Sequence, residues 1–175
     1  MFSVAATPPW SLWDGKDYKN MSDQDEAKFR MIEYHKWKFK AKIFSPLAPL
    51  TVKRTPVLMT RVEYGFLGSY NKYKKSPFET FYMGGDGMSG YSSTYATETI
   101  GLRGYENGSI AGNGGYNSYG YAYSRLSMEL RYPFLLEPSS TIYGLVFVEA
   151  GNAWRDLKDF NPFQLKRSAG VGVRI

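Results

Sequence analysis

The chain has 175 residues, a net charge of +6, 17% aromatic residues, no cysteine and a mean hydropathy of −0.41. That length suits one domain of ordinary size; so many aromatics exclude a disordered chain, and no run of about 20 apolar residues supplies a membrane-spanning helix. The missing cysteines and the single histidine exclude a disulfide scaffold, a Cys-ligated zinc site, a thiol nucleophile and a histidine cluster. The surplus of 22 basic over 16 acidic residues suits nucleic acid, anionic lipid or the polar wall of a channel.

Short aromatic and β-branched stretches between glycines predict an all-β fold. Residues 22–26 read as a helix start, so a helical turn is expected ahead of the first long strand. That strand is expected over residues 29–44. Its odd positions (Glu33, His35, Trp37, Phe39 and Ile43 among them) are mainly apolar, while Lys36, Lys38, Lys40 and Lys42 occupy the even ones. A strand separates such faces and a helix would scramble them. Two prolines at 46 and 49 mark a connection. The next strand spans 57–70, with Leu58, Val62, Tyr64 and Phe66 opposite Arg61, Glu63 and Gly65. A shorter apolar stretch at 78–84 reads as a third.

Residues 84–119 are rich in Gly, Ser, Asn and Tyr without clear periodicity, so a long functional loop packed through its tyrosines (91, 95, 105, 116 and 119) is expected. Within it, residues 85–90 spell G-x-G-x-x-G. No helix or parallel crossover follows, so the motif reads as a turn and no cofactor is expected. Alternation returns at Tyr123. Leu126, Met128, Leu130 and Tyr132 oppose Arg125, Ser127, Glu129 and Arg131, and Pro133 ends the strand. Residues 141–150 are apolar on both faces apart from Glu149, which predicts a strand covered on both sides. A last strand covers 168–175.

About six strands in an antiparallel meander are therefore expected. The same alternation serves a soluble sandwich with its apolar face inward and a membrane barrel with that face toward lipid; periodicity does not separate them. Glu129 and Glu149, on neighbouring strands, lack the cleft a glycosidase needs and are better placed to hold a cation from the loop. His35 reads as a packed histidine. The lysine ladder reads as a solvated face, without the stacking platform nucleic acid would need. With no nucleophile–base pair and no metal set, an enzyme is not expected.

The segment Leu102-Arg103-Gly104-Tyr105 resembles the V/L-R-G-F/Y signature of the outer-membrane barrel-assembly (BamA, surface-antigen) superfamily. Residues 77–85, 128–131, 147–154 and 168–174 resemble, in order, the family's strand before the signature loop and the strands after it. The stretch around Trp37 and Lys38 resembles the Bacteroidetes branch. The resemblance implies a sixteen-stranded outer-membrane barrel into whose lumen the loop folds. It implies that Arg103 bonds Glu129 and Glu149, that Gly104 permits the loop tip, and that Tyr105 packs on the wall. The family usually has Asp where this chain has Glu149.

The resemblance also implies non-enzymatic insertion of β-barrel proteins, with outer-membrane lipid, unfolded client proteins and accessory assembly lipoproteins as partners, and no nucleic acid. A secretion channel of the same superfamily and a soluble β-sandwich binding module are the alternatives. Residues 1–175 are expected to be a partial C-terminal barrel domain without POTRA domains or the final barrel strands. Such a piece would pair through its open edges with copies of itself, curl into a smaller closed structure, or turn its aromatic faces inward.

Overall fold

The computed structural model describes residues 1–23, 25–49, 51, 54–85, 98–110, 119–137 and 140–175. Its main element is one six-stranded antiparallel sheet. The strands, in spatial order, are β1 (Phe2–Ala6), β2 (His35–Pro46), β3 (Val57–Gly68), β6 (Ala122–Glu137), β7 (Ser140–Trp154) and β8 (Lys166–Arg174). Two short strands, β4 (Phe81–Met83) and β5 (Glu98–Ile100), pair with each other in parallel apart from it. The fold is all-β, with only two single-turn helices, α1 (Trp10–Trp13) and α2 (Glu26–Phe29), and one 3-10 turn among the described residues.

The period-two windows became β2, β3, β6, β7 and β8, because alternation is what a sheet with two unlike faces requires. β2 and β3 pair residue for residue from His35↔Gly68 to Pro46↔Val57. β3 then pairs directly with β6, so everything between them is an excursion from two adjacent strands. Connections 7–34, 69–121 and 155–165 all leave one end of the sheet. Residues 47–56 and 138–139 join strands at the other end.

Several expectations change. The first long strand begins at His35, not residue 29. The helical turn expected before it is α2, whose N-cap Asp25 accepts from the Ala27 N–H. Glu33 therefore leaves the strand and is buried, accepting from the Ser11 N–H at 2.7 Å and its hydroxyl at 2.5 Å. β1 is a sixth sheet strand that too short an alternation concealed, while the 78–84 stretch contributes only three residues of β4 and none to the sheet. Pro133 does not end β6. The strand continues to Glu137 with a register irregularity between Pro133 and Leu135, which accommodates the missing N–H.

β7 is covered on one side only. Leu145, Glu149, Gly151 and Ala153 are buried, whereas Val146 and Val148 are more than half exposed. Trp37, Phe39, Met128 and Leu130 are exposed on the same side, and no second sheet packs on them among the described residues. The aromatic face is not turned inward, and among the described residues the sheet is open, β1 pairing only with β2 and β8 only with β7.

The core lies on the opposite face, where the excursion folds back. Leu67, Phe81, Met83, Ile100, Leu102, Ile110, Tyr123 and Ala153 form it. Phe81 is fully buried with its ring 4.6 Å from that of Tyr123. Of the loop tyrosines, Tyr105 packs against this core and Tyr119 lies edge-on to Tyr121. Tyr91, Tyr95, Tyr116 and residues 86–90 of the glycine motif lie outside the described residues. Phe81→Ala should cost about 3–5 kcal/mol in denaturant unfolding in detergent micelles. Val148→Ala on the open face should stay within about 0.5 kcal/mol.

Candidate functional site: a charged seat for the long loop

The excursion after β3 reaches back over β6 and β7 because two glycines allow it. Gly84 has φ +131° and its N–H donates to the Ile100 carbonyl at 3.0 Å; a Cβ there would stand 2.1 Å from the Glu106 carbonyl oxygen. Gly104, at φ +86°, makes the tip directly after Arg103. Between them Leu102 is fully buried and bridges to Gly85, which fixes where the next side chain leaves the backbone.

That side chain is Arg103. Its Nη2 donates to Glu129 Oε1 and to Glu149 Oε1, each at 2.7 Å, and its backbone N–H donates to Glu149 Oε2 at 2.9 Å. The guanidinium carbon lies 3.6 Å from the centroid of the Phe147 ring. A planar cation can do all three at once, whereas a lysine ammonium would offer one compact charge. Burial lowers the affinity of Arg103 for its proton, but the hydrogen bonds and charges of Glu149 and Glu129 outweigh this and raise its pKa. Tyr105 packs on the wall through its hydroxyl, which donates to the Arg167 carbonyl of β8 at 2.8 Å.

The acids do not wait on Arg103 alone. Glu149 Oε1 also accepts from Arg125 Nη2 at 2.9 Å and Ser127 Oγ at 3.1 Å. Glu129 Oε2 accepts from Arg131 at 3.0 and 2.5 Å, and Glu63 lies 3.6 Å from Arg125. With Arg174 of β8 at 3.8 Å from Glu129, four arginines (Arg103, Arg125, Arg131 and Arg174) face Glu63, Glu129 and Glu149. The pairing matters because Glu149 is 1% exposed, and a carboxylate buried unpaired is costly.

A second seat escaped the sequence reading. Lys36, Lys38 and Lys40 of β2 do not form a solvated face. They converge on Glu98 of β5 at 3.2, 3.0 and 3.2 Å. Lys36 also reaches Glu79 at 3.0 Å and lies over the Phe81 ring. The loop is therefore seated on β2 through an acid and on β6 and β7 through a base. Alternation alone told that the lysines share a side; nothing in it told that an acid some 60 residues on would meet them. His35 packs against Tyr70 and accepts a hydrogen bond from Trp37 Nε1 at 3.0 Å.

Residues 27–175 match the Omp85 superfamily domain, which covers β2 to β8 and both seats. The chain belongs to the Omp85 superfamily. Members of the Omp85 superfamily are outer-membrane proteins that insert or transport proteins without enzymatic chemistry, and both BamA and the TpsB transporters are among them. No curated protein matches the chain. With Omp85 membership, the open apolar face becomes the lipid side of the sheet and the loop-covered face the inner side. β2, β3, β6 and β7 have 12 to 16 residues each and β8 has 9, so each reaches the roughly nine residues that crossing requires.

The Glu98 seat makes the loop acid-sensitive. Burial pushes the Glu98 carboxyl up, but the Lys38 hydrogen bond and the charges of Lys36 and Lys40 hold it below its ordinary value of 4.5. A depressed folded pKa gives stability that is complete above that ordinary value and is lost as pH falls through the folded one. Amide exchange at Ile100 and Leu102, corrected for intrinsic rates, should therefore speed up as pH falls below 4.5. Glu98→Gln should abolish that acid-dependent step.

Proposed function

We propose that the chain forms part of the barrel of an outer-membrane assembly factor of the BamA type, from the Bacteroidetes branch, which folds and inserts β-barrel proteins. The observation that carries this is the Arg103 clamp, one guanidinium between carboxylates of adjacent strands. Its four-residue motif, the ordered strand blocks around it and Omp85 membership support the assembly reading. In this reading the clamp braces the barrel from inside. Glu98 and Arg103 tie β2 to β7 across β3 and β6, a distance of about 14 Å at the usual strand spacing. A wall held this way keeps its strands in place while hydrogen bonding is exchanged at a seam elsewhere. At such a seam an unfolded client strand adds by main-chain pairing. Outer-membrane lipid, client barrels and accessory lipoproteins are the partners. No bond is made or broken.

Arg103→Ala removes the guanidinium bonds to Glu149 and Glu129 while keeping the backbone N–H on Glu149 Oε2 and the Arg125 pairing, and should destabilise the barrel by about 1.5–3 kcal/mol. In lipid vesicles, the intact protein carrying it should fold an unfolded client barrel at least about tenfold more slowly, with Arg103→Lys in between. An unchanged folding rate would overturn the assembly role of the clamp. Transport of a soluble passenger, with no effect on client folding, would place the chain with the secretion members instead. Lipid contact has its own test. Val148→Arg on the open face should impair insertion by about 2–4 kcal/mol, and Ile142→Arg on the same side nearer the strand end by about 1 or less.

A further inference from the structure

At the end of the sheet from which the long connections leave, three of them line an open cavity of about 840 Å³. Its walls come from residues distant in sequence: 18–29 ahead of β2, 72–77 after β3, Tyr119 and Tyr121 before β6, and Arg155 after β7. The charge of this lining is one-sided. Lys19, Lys28, Lys72, Lys75 and Arg155 face it, against Asp23 as the lone acid in the lining. Asp23 is taken up by Lys28 at 2.6 Å, and Lys75 is paired at 2.9 Å with Asp156 outside the lining. Among the described residues, Lys19, Lys72 and Arg155 have no carboxylate within 4 Å. Two of them rest on aromatic faces instead, Lys72 over Tyr73 at 4.8 Å and Arg155 over Tyr119 at 5.4 Å.

Cations gathered around an open cleft without counter-charge raise the local concentration of anions there. The aromatic walls narrow the class of anion. Tyr18, Tyr73, Tyr119, Tyr121 and Phe29 offer flat apolar surfaces, which inorganic phosphate cannot use and a sugar ring can. The volume admits two or three sugar rings and falls in the range of ordinary ligand sites. An acidic peptide would also bring negative charge. It would, however, need main-chain partners from a free strand edge, and the described lining lies in connections, not at the edges formed by β1 and β8. We propose that this cavity binds a phosphorylated saccharide, with the phosphates on Lys72 and Arg155 and the rings against the tyrosines.

Two sources present that chemistry. Outer-membrane barrels carry short turns on the periplasmic side and long loops on the outside, so the cavity opens outward, where glycolipid headgroups lie. A soluble phosphosugar would enter the same way. The site is independent of Arg103 and of the assembly reading, since the two share no residue.

The test uses the whole chain in nanodiscs, titrated with a bisphosphorylated glucosamine disaccharide and followed by tyrosine fluorescence and calorimetry. Saturable binding that weakens as salt rises is expected, with at least about tenfold loss in a Lys72→Ala, Arg155→Ala double variant. Lys72→Arg should retain the affinity, and strand content by circular dichroism should be unchanged in all variants. Tighter binding of the acylated disaccharide in the same nanodiscs assigns the site to a lipid headgroup, and equal binding assigns it to a soluble sugar. The proposal fails if the unphosphorylated disaccharide or inorganic phosphate binds as well as the phosphorylated sugar. It also fails if the double variant binds like the wild type, or if an acidic peptide displaces the sugar at lower concentration.

Discussion

A buried carboxylate in the middle of a sheet must be neutralised in place, and this constraint organises the loop side of the structure. Glu149 sits on β7 with almost no exposure, and its two oxygens are filled by a backbone N–H, two guanidinium groups and a hydroxyl. Two of those donors, the N–H and a guanidinium, belong to Arg103, which arrives from another part of the chain. A loop that settled elsewhere would take from Glu149 the N–H on Oε2 and one of its two guanidinium partners, leaving Arg125 and Ser127. Phe147 beneath the guanidinium excludes water on one side and strengthens the pairing by its ring face.

The two seats act at different points of one excursion and with opposite signs. An acid on β5 meets three bases of the sheet; five residues later a base meets two acids. Opposite polarity discourages misregistration, because sliding the loop along the wall would bring Arg103 toward the lysines and Glu98 toward the glutamates. Between the charged ends lie Ile100 and Leu102, fully or nearly buried, so apolar packing supplies the cohesion and the charges supply the register.

Much of the sheet was legible because period two survives in any strand with unlike faces. β6 shows it from Arg125 to Tyr132, and the side on which Glu129 stands follows from Arg125, Ser127 and Arg131 beside it. What alternation does not reveal is which face meets protein. Alternation thus reads the lysines of β2 as solvated and β7 as covered twice, although Val146 and Val148 face outward. β1 has too few residues to show a period. β4 was apolar enough to look like a wall strand, yet its three residues are buried under the loop. That Arg103 meets Glu129 and Glu149 was not readable from spacing, since 26 and 46 residues separate them; it rested on likeness to a family. Glu98 lay in a stretch without any period, and no pattern pointed to it.

Leu67, Phe81, Met83, Ile100, Leu102, Ile110 and Tyr123 form a dry cluster on the very face that alternation marks as polar. Ions moving along this stretch of wall would have to shed their hydration to pass it, at a cost of many kcal/mol. The middle of the loop-covered side is thus apolar although its sheet positions alternate toward charge, and a hydrated ion passing close to it would meet Arg103 and Glu98 only at the two ends of the cluster.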